Sequence, residues 1–235
     1  NIIAIKGLGG YHLVCDAYNT ETVARLRKLK QRKTKPLSLM VANFERAEKI
    51  AYLPEMAKEY LSSSAAPIVL LKKKDHQLDH LAPRMSSLGV MLPYTPIHHL
   101  LFNNDTENSE QSLILVMTSA NLRGQPLIFQ DDFNALLLLA DYVLTHNRAI
   151  NKRCDDSIVN CVLDEENHQQ AIVVRRARGM APIAIDLPVA GKSTLAVGGH
   201  LKNSVCLTKG NKAYLSPYIG DLDNPDNCRY LQETV

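Results

Sequence analysis

The fold of this chain is constrained most by the stretch Ser112–Pro126. Leu113-Ile114-Leu115-Val116-Met117 is a continuous apolar run of strand length, and such a run fits a strand buried on both faces of a sheet. The apolar character then stops at once. Thr118, Ser119 and Asn121 place two hydroxyls and an amide within four residues, and Gly124 and Pro126 close a loop. Polar groups at the end of a buried strand lie where α/β proteins bind ligands. The same pattern also describes an ordinary strand-to-loop junction with a local hydroxyl cap. The choice between the two rests on how much positive charge the rest of the chain can bring to that loop.

The length of 235 residues allows one large domain, or one domain and part of another. Apolar runs such as Leu136–Ala140 are too short to span a bilayer, so no membrane role is expected. The five cysteines form no Cys-x-x-Cys pair; this argues against a structural zinc site or a disulfide framework and for a reducing, cytoplasmic setting. A net charge of +3 makes no global case for nucleic acid. The chain starts inside a strand-like run without an initiator Met, and is read as a piece of a longer protein.

Ile2–Ile5 and Leu13–Cys15 read as strands joined by the tight turn Lys6–Gly10. That turn is not a dinucleotide fingerprint, because the last required Gly is His12. Asn19 or Thr20 caps a helix predicted to run to about Lys33. Seven of the eleven residues from Arg25 to Lys35 are basic. Arg25, Arg27 and Lys28 read as a solvated face. Lys30, Arg32 and Lys35 lie at the helix exit, since Pro36 disfavours helix before it. Like charges crowded there repel unless an anion sits among them.

The predicted elements continue with strand Leu37–Val41, a helix from Asn43 to Tyr52, a helix Pro54–Leu61 and strand Pro67–Leu71. A strand around Leu88–Leu92 leads to a helix capped by Thr95 with Pro96 in its first turn. His98 and His99 point about 100° apart on that helix and read as structural. Helix Asp131–Leu139 and strand Asp141–Leu144 follow. The polar segment Thr145–Ser157 holds His146, Arg148, Lys152 and Arg153 beside the adjacent carboxylates Asp155 and Asp156. Ser157–Leu163 and Ala171–Arg175 read as a hairpin running out into Arg175 and Arg178. Residues 187–193 read as a linker between a first domain, 1–186, and a second, 194–235. Gly191-Lys192-Ser193 lacks the earlier Gly of a phosphate loop, where Asp186 stands. Thr194–Gly198, Ser204–Thr208 and Ala213–Ser216 are expected as three short strands.

The alternation gives an α/β class with a mixed twisted sheet. Three loops bring cations and hydroxyls suited to a polyphosphate, in a chemistry that needs positioning and charge neutralisation rather than a protein nucleophile.

Two motif pairs, Lys30-Gln31-Arg32 with Lys35-Pro36 and Thr118-Ser119-Ala120-Asn121, resemble the YrdC/Sua-type domain that makes carbamoyl- or threonylcarbamoyl-adenylates. Further stretches resemble the HypF family of [NiFe]-hydrogenase maturation carbamoyltransferases. They are Ala4–Leu13, Gly89–Leu101, Arg153 with Asp155-Asp156-Ser157, and Arg175–Gly179. Ala196–Ser204 and Ile219–Asn224 resemble the start of that family's actin-like (ASKHA) carbamoyl-transfer domain. The resemblance implies a YrdC-like twisted mixed sheet with flanking helices, followed by the first strands of an actin-like domain. It implies that carbamate from carbamoyl phosphate attacks ATP, with Mg²⁺, to give carbamoyl-adenylate. The carbamoyl group is then passed to the C-terminal cysteine of the acceptor protein HypE. It implies that Lys30, Arg32, Lys35 and Ser119 carry the chemistry. Lys6, Thr118, Asn121, His146, Arg148, Arg153, Asp155, Asp156, Ser157, Arg175 and Arg178 are implied to hold nucleotide and substrate. Zinc and the transfer-domain metal belong, on this resemblance, to parts of the family outside this chain. Two rival readings are a threonylcarbamoyl-adenylate synthase serving tRNA modification and a non-enzymatic double-stranded RNA-binding module.

Overall fold

The computed structural model describes residues 1–103, 113–163 and 169–235. In chain order the elements are β1 (Ile3–Lys6), β2 (Tyr11–Asp16), α1 (Thr20–Leu29), β3 (Leu39–Val41), α2 (Phe44–Ile50), α3 (Glu55–Ser62), β4 (Ile68–Lys72) and β5 (Ser87–Met91). They continue with α4 (Pro96–Leu101), β6 (Ile114–Ser119), α5 (Phe133–Leu137), β7 (Tyr142–Leu144), β8 (Ile158–Leu163) and β9 (Gln169–Arg175). The last three are β10 (Ile185–Ala196), β11 (Cys206–Leu215) and α6 (Pro225–Thr234).

Nine strands form one mixed sheet in the order β7-β1-β2-β6-β3-β5-β4-β8-β9. β6 sits inside it, antiparallel to both β2 and β3, and Ile114–Thr118 are buried. Two-sided burial is why its sequence is continuously apolar rather than alternating. One face of the sheet packs Leu13, Leu39, Val69, Val90 and Val116 into a core shared with Val23 and Leu26 of α1. The other packs Ile5, Val14, Met40, Met91, Leu115 and Met117 beside Phe102, which follows α4. Asn19, Asn43, Thr95 and Asp132 each accept a backbone N–H at the start of their helices, as short polar caps do.

The mixed α/β class holds; several boundaries and one domain feature differ. β6 extends through Thr118 and Ser119, so both hydroxyls belong to the strand end rather than to the loop. The expected start of that strand at Ser112, and residues 164–168 of the expected hairpin turn, lie outside the described residues. α1 ends at Leu29, about four residues early, because the following chain is pulled out of helix by side-chain bonds described below. The expected linker 187–193 lies within β10, and the three expected short strands are two long ones, β10 and β11, paired antiparallel. Pro188 and Gly191 read as breakers, but a two-stranded ribbon tolerates them where the register shifts between Asp186 and Thr194.

Candidate functional site

The β1–β2 turn is a packing platform. Gly7 N–H closes it onto the Gly10 carbonyl at 2.9 Å, and the Cys154 N–H bonds the Gly9 carbonyl at 3.0 Å. A Cβ on Gly9 would lie 2.2 Å from the Cys154 carbonyl oxygen, so only glycine lets the 153–156 segment cross here. The turn therefore sets the height of Asp155 and Asp156 above the sheet.

The basic run after α1 is shaped by carbonyl oxygens. Arg27, expected as a solvated charge, instead donates to the carbonyls of Arg32 (3.1 Å), Lys35 (3.0 Å), His80 (3.1 and 3.0 Å) and Leu81 (2.8 Å). Five such bonds clamp the loop and end the helix. Arg25 is exposed and pairs with Asp141. Lys30 is buried, and its ammonium donates to the Ser119 carbonyl and to the carbonyl and side-chain oxygen of Asn121, the latter two at 2.9 Å. Ser119 donates to Asn121 Oδ1 at 2.8 Å, and Asn121 donates to the Gln125 carbonyl at 2.7 Å. These three side chains hold the loop after β6 in shape. Arg32 donates to Thr118 Oγ1 at 3.0 Å and to the Pro36 carbonyl.

Burial pushes Lys30 down to about 7, with Arg32 and Lys35 pushing the same way. Burial also pushes Arg32 down to about 10 and lowers Lys35. Three cations held together below their ordinary pKa values mark a place that favours an anion.

A cavity of about 330 Å³ opens beside them, walled by Arg32, Lys35, Thr118, Ser119, Asn121, Asp155, Asp156 and Arg175. Its far wall comes from the C-terminal segment: Tyr218, Ile219, Gly220, Asp221 and Asn227. The Arg175 guanidinium stacks on Tyr218 at 4.5 Å, and the Tyr218 N–H bonds the Arg176 carbonyl at 3.1 Å. Asn227 donates to the Asp221 carbonyl at 2.8 Å and to the Gly124 carbonyl at 3.4 Å.

Behind the cavity wall lies a buried polar knot. Asp156 accepts from Arg178 Nη2 (2.9 Å) and Nε (3.2 Å) and from Tyr94 (3.4 Å), and pairs with His12 Nε2 at 3.2 Å. Burial pushes its carboxyl up, but the bond and charge of His12 and the charge of Arg178 outweigh that and hold it well below the carboxylate range. Arg178 also lies 3.7 Å over the Tyr94 ring and donates to the Ala65 (2.8 Å) and Ala66 (2.9 Å) carbonyls. His98 packs edge-on against Tyr94 and is fully buried, which supports its structural reading and pushes its imidazole down to about 3. His99 is exposed.

The remaining expected site residues stand elsewhere. Lys6 is buried at the end of β1 that enters the Gly7–Gly10 turn, bound to Asp131 at 2.7 Å and to the His146 carbonyl at 3.1 Å, with Tyr11 bonded to the same Asp131 at 2.7 Å. Lys6, His146 and the exposed Arg148 do not line the cavity; they serve or flank the β7–β1 side of the sheet, whereas the cavity lies over the strands from β6 to β9. Arg153 stacks on Tyr230 at 4.2 Å and lines a second, more apolar cavity of about 550 Å³. Ser157 is buried, accepting the Ala177 N–H and donating to the Arg178 carbonyl, both at 2.9 Å, so it ties β8 to the segment after β9. Residue types give no sign of Tyr218 or Asn227 as cavity residues; Gly220-Asp221 lies in the Ile219–Asn224 stretch that carries the resemblance to the transfer domain.

A family model described as "Telomere recombination", that of the Sua5/YciO/YrdC proteins, matches residues 1–177, and one described as "HypF Kae1-like domain" matches residues 190–235. The chain is 47% identical to Carbamoyltransferase HypF2 of Cupriavidus necator over 247 residues, covering 100% of this chain and 30% of that protein. It is 40% identical to Carbamoyltransferase HypF of Rhizobium leguminosarum bv. viciae, covering 100% of this chain and 31% of that one. Among solved structures, full-length HypF in the phosphate- and nucleotide-bound form superposes with a TM-score of 0.87 at 41% identity, covering 99% of this chain and 36% of that one. The chain thus spans about a third of the length of the curated relatives it matches. The chain belongs to the Sua5/YciO/YrdC family, in the HypF-like form that joins this domain to a Kae1-like segment.

Proposed function

We propose that the cavity forms carbamoyl-adenylate from ATP and carbamate, the first half of a carbamoyl transfer. The observation that carries this reading is the convergence of Arg32, Lys35 and Arg175 with the Thr118 hydroxyl on one hollow. A carboxylate oxygen of carbamate attacks the α-phosphorus; the new P–O bond forms as the α–β bridging bond breaks, and pyrophosphate leaves. Carbamate is already an anion, so the step needs no base from the protein. Fixed cations beside the phosphates offset the charge that gathers there. Among the described residues no group of three or more His, Cys, Asp or Glu could hold a metal, so Mg²⁺ fits this site as an ion carried by the ATP phosphates. The similar HypF structure in its phosphate- and nucleotide-bound form supports an anion and nucleotide site in this fold.

On this reading the whole protein draws carbamate from carbamoyl phosphate and delivers the carbamoyl group to the C-terminal cysteine of HypE in the cytoplasm, for hydrogenase maturation. No helix of the described residues is long and apolar enough to cross a membrane. The test is exchange of labelled pyrophosphate into ATP, with ammonium carbamate supplied directly. Arg32→Ala and Lys35→Ala should each lower it about 10- to 100-fold, the size of one charged hydrogen bond lost. Exchange driven by threonine and bicarbonate but not by carbamate would favour the threonylcarbamoyl-adenylate reading. That alternative is supported by 27% identity to a putative threonylcarbamoyl-AMP synthase of Methanocaldococcus jannaschii over 57% of the chain.

A further inference from the structure

The cavity is built for anions, yet three carboxylates face it: Asp155, Asp156 and Asp221. Two of them are engaged. Asp156 is held by His12, Arg178 and Tyr94, and Asp221 Oδ1 accepts the Lys202 N–H at 2.8 Å. The Asp155 carboxylate accepts no hydrogen bond from any described residue. Its nearest cation is Arg175 Nη1 at 3.9 Å, beyond hydrogen-bond reach, and that guanidinium is stacked on Tyr218. Asp155 is also fixed in place. Its carbonyl accepts the Arg178 N–H at 3.0 Å, and the residue before it is bonded to Gly9.

A bare, fixed carboxylate opposes the binding of a purely anionic ligand. It helps only if the ligand brings a cation or an N–H or O–H donor to it. With Asp156 and Asp221 engaged, Asp155 alone makes a poor metal site. Carbamate carries both features within one small group, a CO₂⁻ end for Arg32, Lys35 and Arg175 and an NH₂ end for a carboxylate. Resting on the carbamate reading above, we infer that Asp155 accepts the N–H of the carbamoyl group and is a specificity-determining residue for an unsubstituted carbamate. A carbamate whose nitrogen bears an amino acid would bring that amino acid's own carboxylate against Asp155, and an isosteric carboxylate with a methyl in place of NH₂ would leave Asp155 unpaired.

The experiment measures pyrophosphate exchange by the full chain with ammonium carbamate and with acetate, titrating ATP and Mg²⁺ separately. Asp155→Ala should lower kcat/KM for carbamate about 10- to 100-fold, and the preference for carbamate over acetate should fall by the same factor, as expected for one charge-assisted bond. KM for ATP should stay within about twofold, which also shows the variant folded. Asp155→Asn, which keeps an acceptor oxygen and the shape, should recover part of the preference. An unchanged carbamate-to-acetate ratio in both variants, or a loss confined to the ATP or Mg²⁺ dependence, would overturn the inference while leaving carbamoyl-adenylate formation standing. Wild-type protein that shows no carbamate-dependent exchange would overturn both.

Discussion

Lys30 shows what burial does to a single charge. All three hydrogen-bond acceptors of its ammonium belong to Ser119 and Asn121, so its direct contacts shape the loop that borders the cavity. Lys30 does not line the cavity, but its charge couples to Arg32, Lys35 and Asp155, which do, and burial with Arg32 and Lys35 nearby holds its pKa near 7. A polyphosphate placed among these cations favours their charged forms, so it raises the Lys30 pKa in the complex. The bound state then carries more protons than the free state at pH values from about 7 up to the raised value. Nucleotide affinity should therefore fall as pH rises from about 6.5 to 8.5, and calorimetry in buffers of different ionisation heat should show proton uptake near pH 7.5. Binding without proton uptake in wild type would remove Lys30 from the electrostatics of the site. The residue types Lys30, Arg32 and Lys35 were legible in the sequence as an anion cluster. That Arg27 would turn inward to brace them was not, because a helix pattern cannot show which carbonyls a distant loop presents.

At the scale of the element, the Gly7–Gly10 turn and β6 fix the site's geometry. The tight turn is legible in the sequence, but its use as a bed for residues 153–156 depends on a contact across more than 140 positions. Gly9→Ala should place a methyl against the Cys154 backbone and lift Asp155 and Asp156 from their positions. The expected cost is about 1–3 kcal/mol, read as a lowered midpoint in urea unfolding, together with loss of exchange activity. A variant with unchanged midpoint and activity would show that the two backbones can separate at no cost. β6 is legible to within two residues in its apolar run, since a strand buried on both faces shows no alternation.

For the whole molecule, the segment after β11 supplies one wall of the cavity and stacks on Arg175. Tyr218→Ala should free the Arg175 guanidinium and weaken nucleotide binding about 3- to 10-fold with little change in thermal midpoint, as fits one cation–π contact. Titration calorimetry checks this; unchanged affinity would reduce the far wall to a scaffold. The order of strands and helices through β9, the mixed α/β class, the helix caps and the residue types of the anion cluster were determined by the sequence itself, because hydrophobic period, capping chemistry and Pro or Gly punctuation act over a few neighbouring residues. Lys6 and Arg148 carry the same charge as Arg32, Lys35 and Arg175, yet only the latter three line the cavity. Sheet order made that division: β7 and β1 stand at one lateral edge, while the cavity is lined from β6, β5, β4, β8 and β9 farther across the sheet. Asp155 and Asp156 are likewise neighbours of one type, separated in role by partners 22 to 144 residues away, at distances along the chain that no local pattern records.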